Sequence, residues 1–261
     1  MTPVLEVRGL RVDHGGYPAV RVDALSLATG TLSGVVGANG AGKSTLVNAI
    51  GGWSRAAPTV SGAVLLDGED VTHLPAHLHV RRGILLVPEG LGVFLGLSVA
   101  ENLRAVTAPG EGRRGFSVDE IYDLFPRLRE RRDNVAGSMS GGERQMLALS
   151  RALRMGPRVL LLDEPSIGLA PRLVITLLRT VRTLVDDGMT VLLVEQNVRA
   201  AVEVVDTLHL LERGRMVASG PVATMKDDPR VLEAYLGGSD VGGSDVRGSD
   251  VRGSHVRGSD A

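Results

Sequence analysis

The sequence predicts an α/β fold, a parallel sheet covered by helices, and three observations carry that expectation. From residue 159 onward, apolar strands at 159–162 and 190–194 alternate with helical stretches at 172–185 and 198–204. Alternation of this kind builds parallel sheets. The segment Gly37-Ala38-Asn39-Gly40-Ala41-Gly42-Lys43-Ser44-Thr45 fits the phosphate-loop pattern G-x-x-x-x-G-K-[ST] and lies between an apolar strand, 32–36, and the start of a helix, 44–50. The third observation is a strand end: residues 159–162 deliver two adjacent carboxylates, Asp163 and Glu164, before Pro165.

Taken in order, residues 4–8 and 24–29 read as strands around a turn containing Gly15 and Gly16. After the phosphate loop come a strand at 63–67, a short helix at 75–82 and an apolar strand at 84–87 ended by Pro88. Ser98 with Glu101 forms a capping box opening a helix at 99–106. Residues 107–116 are rich in Gly and Pro and read as an exposed loop. Ser117 with Glu120 repeats the capping box, followed by Ile121, Leu124, Phe125 and Leu128 at helical spacing. The charge run 127–133 reads as a solvated helix end, and 208–211 with 215–218 as a final hairpin about Gly214. From Leu236 the chain repeats a five-residue unit, LGGSD, VGGSD, VRGSD, VRGSH, VRGSD. One valine per unit buries too little surface to offset ordering entropy, so residues 237–261 are expected to be a disordered tail behind a domain of residues 1–236.

Composition sets outer limits. A chain of 261 residues with 43% hydrophobic content supports a sizeable core, and aromatics at 3% leave aliphatic packing to form most of it. A net charge of −1 gives no electrostatic case for nucleic acid or an anionic membrane surface. The absence of cysteine removes disulfide and thiol chemistry. The first eight residues carry no apolar signal core, and the longest apolar stretch, 84–100, is broken by Pro88, Glu89 and glycines, so no membrane span is expected. The chain has only two lysines, Lys43 and Lys226, and one of them stands in the phosphate loop.

The chemistry these segments suit comes from residue type. Glycines at 37, 40 and 42 let backbone N–H groups wrap closely around phosphates at a helix N-terminus, where the dipole favours an anion. Lys43 reaches the β- and γ-phosphates, and the Ser44 hydroxyl can ligate Mg²⁺. Strand alternation points Asp163 and Glu164 in different directions, so that one holds Mg²⁺, usually through water, and the other polarises an attacking water. Ser140-Gly141-Gly142-Glu143-Arg144-Gln145 opens a helix running to about Arg154, with Ser140 as N-cap. By itself the hexapeptide fits a capped helix as well as an anion site.

Order and spacing of the three motifs resemble the ATP-binding-cassette (ABC) ATPase family over residues 4 to about 236. The resemblance makes Gly37 to Thr45 the Walker A loop, Ser140 to Gln145 the signature, Asp163-Glu164 Walker B with the catalytic base, and Ser166 to Ala170 the adjoining D-loop. It implies an antiparallel β subdomain, a helical signature subdomain at about 90–155, and ATP with Mg²⁺ as the cofactors. Three departures narrow the subfamily: Glu89 where glutamine is usual, Gln196 where a switch histidine is usual, and Ala170 ending the D-loop. These look like the ATPase subunits of branched-chain amino acid importers and of related urea or amide importers, although Leu91 stands where that group has arginine. The resemblance assigns catalytic roles to Glu164, Gln196 and Glu89, and metal binding to Ser44, Asp163 and Glu89. It brings nucleotide to the phosphate loop, to Ser140, Gly141 and Gly142, and to His14 or Tyr17 for adenine stacking; either of these last two also suits a turn.

The implied partners are a second ATPase subunit, in a heterodimer or homodimer, permease subunits in the membrane and, indirectly, an extracytoplasmic solute-binding protein, with no nucleic acid. The implied location is the cytoplasmic face of the cell membrane. A competing expectation is a soluble ABC ATPase acting as a clamp or assembly factor without a transporter, and a third is a catalytically weak regulatory cassette. Against the clamp, the chain has no second cassette, coiled-coil insertion or basic patch.

Overall fold

A computed structural model describes residues 3–54, 57–90, 92–106 and 113–237, with side chains to residue 234. The chain opens with a long hairpin, β1 (Pro3–His14) and β2 (Tyr17–Ala28), then β3 (Leu32–Val36) and α1 (Lys43–Ile50). Next come β4 (Thr59–Leu66), β5 (Glu69–Asp70), α2 (Ala76–Arg82) and β6 (Ile84–Val87). Four helices are next: α3 (Val99–Arg104), α4 (Val118–Leu124), α5 (Pro126–Glu130) and α6 (Gly141–Arg154). Strands and helices then alternate through β7 (Val159–Asp163), α7 (Pro171–Asp186), β8 (Thr190–Glu195) and α8 (Val198–Val202). The series closes with β9 (Thr207–Glu212), β10 (Arg215–Pro221), α9 (Val222–Met225) and α10 (Pro229–Gly237).

Among the described residues the strands form one sheet in the order β5-β4-β1-β2-β10-β9-β3-β8-β7-β6. The run β9-β3-β8-β7-β6 is parallel, as the alternating pattern predicts, and β5-β4-β1-β2 is antiparallel. Period-2 alternation divides the parallel strands between two cores. Leu160 and Leu162 face the side covered by α3, α4, α6 and α7, while Val159 and Leu161 face α1 and the hairpin. Both faces are covered, so these strands read as unbroken apolar runs.

Several boundaries differ from expectation. β1 and β2 are 12 residues each, far longer than 4–8 and 24–29, and their two-residue turn is Gly15-Gly16, both at positive φ (56° and 84°) as a type I′ turn requires. The helix expected through Leu128 breaks at Phe125, because Pro126 has no N–H to continue it, and α5 restarts with Pro126 at its first position. α3 stops at Arg104 and α8 at Val202, each two residues early. The short β5, α9 and α10 were not expected, and α10 carries Leu236 and Gly237 of the first repeat unit. Both capping boxes form as expected. Leu91, residues 107–112 of the exposed loop, and the tail from residue 238 lie outside the described residues.

Candidate functional site

The parallel register brings the carboxyl ends of four strands level: Val36 pairs with Glu195, Asp163 with Val194, and Val87 with Leu162. The segments that leave these strand ends therefore meet in one crevice, the position where open α/β sheets bind ligands. The phosphate loop comes after β3, Glu89 after β6, Glu164 after β7 and Gln196 after β8.

Within the loop, two glycines are required by close approach. A Cβ on Gly37 would collide with the Leu211 carbonyl oxygen, and one on Gly42 would come within 2.9 Å of the Val20 side chain at a φ of 100°. Gly42 caps α1 without a side chain, so the first N–H groups of that helix face a cleft of about 700 Å³. Asn39, Gly40, Lys43, Ser44, Glu89 and Glu164 are among its lining residues.

Lys43 is buried, its ammonium donating to the Gly37 and Ala38 carbonyls at 2.9 and 3.1 Å and pairing with Glu164 Oε1 at 3.0 Å. Ser44 Oγ donates to Asp163 Oδ1 at 2.9 Å. The two carboxylates therefore both reach the phosphate loop, Asp163 at Ser44 and Glu164 at Lys43. β7 ends at Asp163, and Glu164 adopts a left-handed φ of 45° while its N–H bonds the Val194 carbonyl at 2.9 Å, so strand alternation no longer governs it. Burial pushes the Asp163 carboxyl up to about 6; Ser44's hydrogen bond opposes that, while the charges of Glu164 and Glu89 add to it.

A second cleft, of about 270 Å³, adjoins the first and shares Ser44, Thr45 and Glu89 with it. His14 lines it, together with Asn48, Trp53 and Asp163. Tyr17, on the other strand of the hairpin, is 80% exposed and lines neither cleft. Gln196 is exposed at the end of β8 and also lines neither.

Ser140, Gly141 and Gly142 stand apart from both clefts, at the N-terminus of α6. Ser140 and Glu143 form a third capping box, whose S-x-x-E signal is in the sequence, and Glu143 is also paired with Arg127 and Arg131 at 3.3 and 3.6 Å. Sequence reasoning also passed over Glu195. Its buried carboxylate accepts from the Ser166 N–H at 3.1 Å and the Ser166 hydroxyl at 2.8 Å, and burial pushes it up to about 6. Its only sequence signal was its place beside Gln196.

An oxygen pair such as Ser44 and Asp163 suits a hard cation such as Mg²⁺. Among the described residues no three His, Cys, Asp or Glu side chains gather to hold a metal, so a cation here would draw its other oxygens from phosphate and water.

The family model described as ABC transporter matches residues 21–167, and one described as branched-chain amino acid ATP-binding cassette transporter matches residues 215–241. The chain is 42% identical over 227 residues to the high-affinity branched-chain amino acid transport ATP-binding protein BraG of Pseudomonas aeruginosa, covering 86% of this chain and 96% of that protein. It is 42% identical over 202 residues to a probable branched-chain amino acid transport ATP-binding protein, LivF, of Archaeoglobus fulgidus, covering 76% and 84%. It is 33% identical over 239 residues to the lipopolysaccharide export system ATP-binding protein LptB of Escherichia coli, covering 89% and 97%. A solved ATP-binding cassette of an ABC transporter in its ADP conformation superimposes with a TM-score of 0.76 at 24% identity, covering 91% of this chain and all of that one.

Proposed function

The chain belongs to the ABC transporter family of ATP-binding cassettes, and on that premise we propose that it is the ATPase subunit of an importer for branched-chain amino acids or a related small polar solute. The observation that carries the catalytic part is the meeting of Lys43, Ser44, Asp163 and Glu164 at one crevice. The importer reading is supported by the two 42% relatives and by the match at 215–241, which favour it over export.

ATP lays its phosphates across the N-terminus of α1, in the grip of the loop's N–H groups, and Lys43 leaves Glu164 for the β- and γ-phosphates. Ser44 and Asp163 would hold Mg²⁺, which would neutralise phosphate charge, and Glu89, which lines the same cleft as Ser44, would bind through water. Glu164, released from Lys43, accepts a hydrogen bond from a water at the γ-phosphate. That water's oxygen bonds to phosphorus, the bond to the ADP oxygen breaks, and Glu164 takes the proton. His14 is better placed than Tyr17 to meet the base, since it lines a cleft continuous with the phosphate loop. Gln196 reaches the γ-phosphate on closure, as a hydrogen-bonding group that carries no proton.

Ser140 to Gly142 lie away from this chain's own phosphate loop, which supports a dimer in which each signature serves the partner's nucleotide. Phe94, Leu95 and Val135 are roughly half exposed around the β-bridge joining Ser98 to Val135, and they offer an apolar face for permease subunits at the cytoplasmic side of the membrane. No described helix is long and apolar enough to cross a membrane.

The test uses the tagged chain recovered with its partners. Glu164→Gln should lower turnover by roughly 10²–10⁴-fold, the worth of a positioned base, and leave fluorescent-ATP binding intact. Lys43→Ala should instead weaken the binding itself. Normal hydrolysis by the Gln variant would overturn the role given to Glu164.

A further inference from the structure

Glu195 is a carboxylate only 1% exposed, paired with no cation among the described residues, and no step of ATP hydrolysis by Glu164 uses it. Burying an ionisable group without a counter-charge is costly, so the hydrogen bonds it makes need a reason. Besides a bond from the Asn197 backbone beside it, its carboxylate bonds one residue twice, Ser166, two positions after Glu164. The other end of the same turn is held by the same strand, since the Val194 carbonyl accepts from the Glu164 N–H at 2.9 Å. β8 thus staples the turn carrying Glu164 on both sides. That turn includes a non-glycine residue at φ 45°, a conformation that surrounding contacts must impose.

Beyond Ser166 the loop runs in two directions of interest. Ile167, half exposed, lines the phosphate cleft. Leu169 and Leu173 then pack over Gly142, so closely that a Cβ on that glycine would come within 2.6 Å of Leu173. A shift at Ser166 would therefore be felt both at Glu164 and at the Ser140-Gly141-Gly142 helix start.

We propose that Glu195 is a positioning residue: by gripping Ser166 through both carboxylate oxygens, it fixes the turn that aims Glu164 at the attacking water. The inference rests on the role given to Glu164. The burial that raises the Glu195 carboxyl makes its hydrogen bonds to Ser166 more consequential, because losing a partner costs more in a low-dielectric interior.

The chain assembled with its partners tests this through three variants. Glu195→Gln keeps the shape but offers one acceptor oxygen instead of two. Ser166→Ala removes the hydroxyl donor alone, and Ser166→Thr restores it. The expected result is a fall in kcat of about 10-fold for Glu195→Gln and for Ser166→Ala, with the KM for ATP and fluorescent-ATP affinity within about twofold of the parent. Ser166→Thr should hydrolyse at the parental rate, and the double variant Glu195→Gln/Ser166→Ala should be no slower than either single change, because both break the same contact. Parental kcat in Ser166→Ala, or losses in kcat matched by equal losses in ATP affinity, would overturn the proposal. If Glu164→Gln is inactive while these variants are unaffected, only the positioning role fails; if Glu164→Gln turns over normally, the reading beneath it fails.

Discussion

At the residue scale, the decisive feature is how differently similar groups behave when buried. Lys43 and Glu164 neutralise each other at 3.0 Å, whereas Asp163 and Glu195 are buried with neutral donors and are both pushed up to about 6. His209, on β9, is the opposite case. Its Nδ1 lies 2.8 Å from the Ser219 hydroxyl, its Nε2 has no hydrogen-bond partner, and burial pushes it down to about 4. Unfolded histidine takes a proton near pH 6.5, so between about pH 6.5 and 4 the unfolded chain binds the proton that the native state refuses. His209 therefore withdraws stability as pH falls through that window. Asp163 and Glu195 act the other way, since the native state holds their protons where the unfolded chain has lost them. The effect must be read as a difference: the urea midpoint of His209→Gln should fall less between pH 7 and 5 than the parent's. An equal or steeper fall would refute it.

The phosphate loop was legible because its chemistry is local, and nothing beyond residues 37–45 is needed to see that phosphates would suit it. The contact that holds Glu164's backbone was not legible, because its partner is Val194, on a strand 30 residues further along the chain. The same holds for Glu195, whose partner Ser166 is 29 residues away. Residues that face each other across sheet register leave little trace in sequence spacing.

At the element scale, helix starts marked by capping boxes were easy to read, as were the ends of α2 and α6, but not those of α3 and α8. Ser98 and Ser117 each announce a helix with Glu three residues on, and both boxes form. Ends depend on packing: α3 and α8 stop early without a glycine or proline to mark the place. The long hairpin was also under-read, since outward polar residues such as Arg11 and Arg21 interrupt the apolar pattern while pairing continues beneath them. The caps give a direct prediction. Ser117→Ala leaves α4 without its side-chain acceptor for the Glu120 N–H, at a cost of about 1 kcal/mol. For a chain of this size that lowers Tm by about 2–4 °C in a calorimetric scan. No change in Tm would mean that packing of Ile121 and Tyr122 alone holds the helix.

At the scale of the whole molecule, the sheet is continuous but unevenly joined. β10 meets β2 in parallel at a single register pair, Arg215 with Arg21, whereas β1 and β2 pair along nearly their whole length. The phosphate loop lies against this narrow join. Gly37 abuts Leu211 at the end of β9, Gly42 abuts Ala19 and Val20 of β2, and the Gly214 N–H bonds the Ala41 carbonyl at 2.8 Å. The hairpin side and the parallel side are thus held together partly through the phosphate loop, where the proposed function seats the nucleotide. Amide hydrogen exchange should show it: without nucleotide, amides around Arg21 and Gly214 should exchange faster than those inside β3 or β8, and ATP without turnover should slow them selectively. Exchange at Arg21 and Gly214 that ignores nucleotide would count against this coupling. If ATP slows those amides, the seam is a place where the sheet breathes, and the nucleotide acts as a suture across it as well as a fuel.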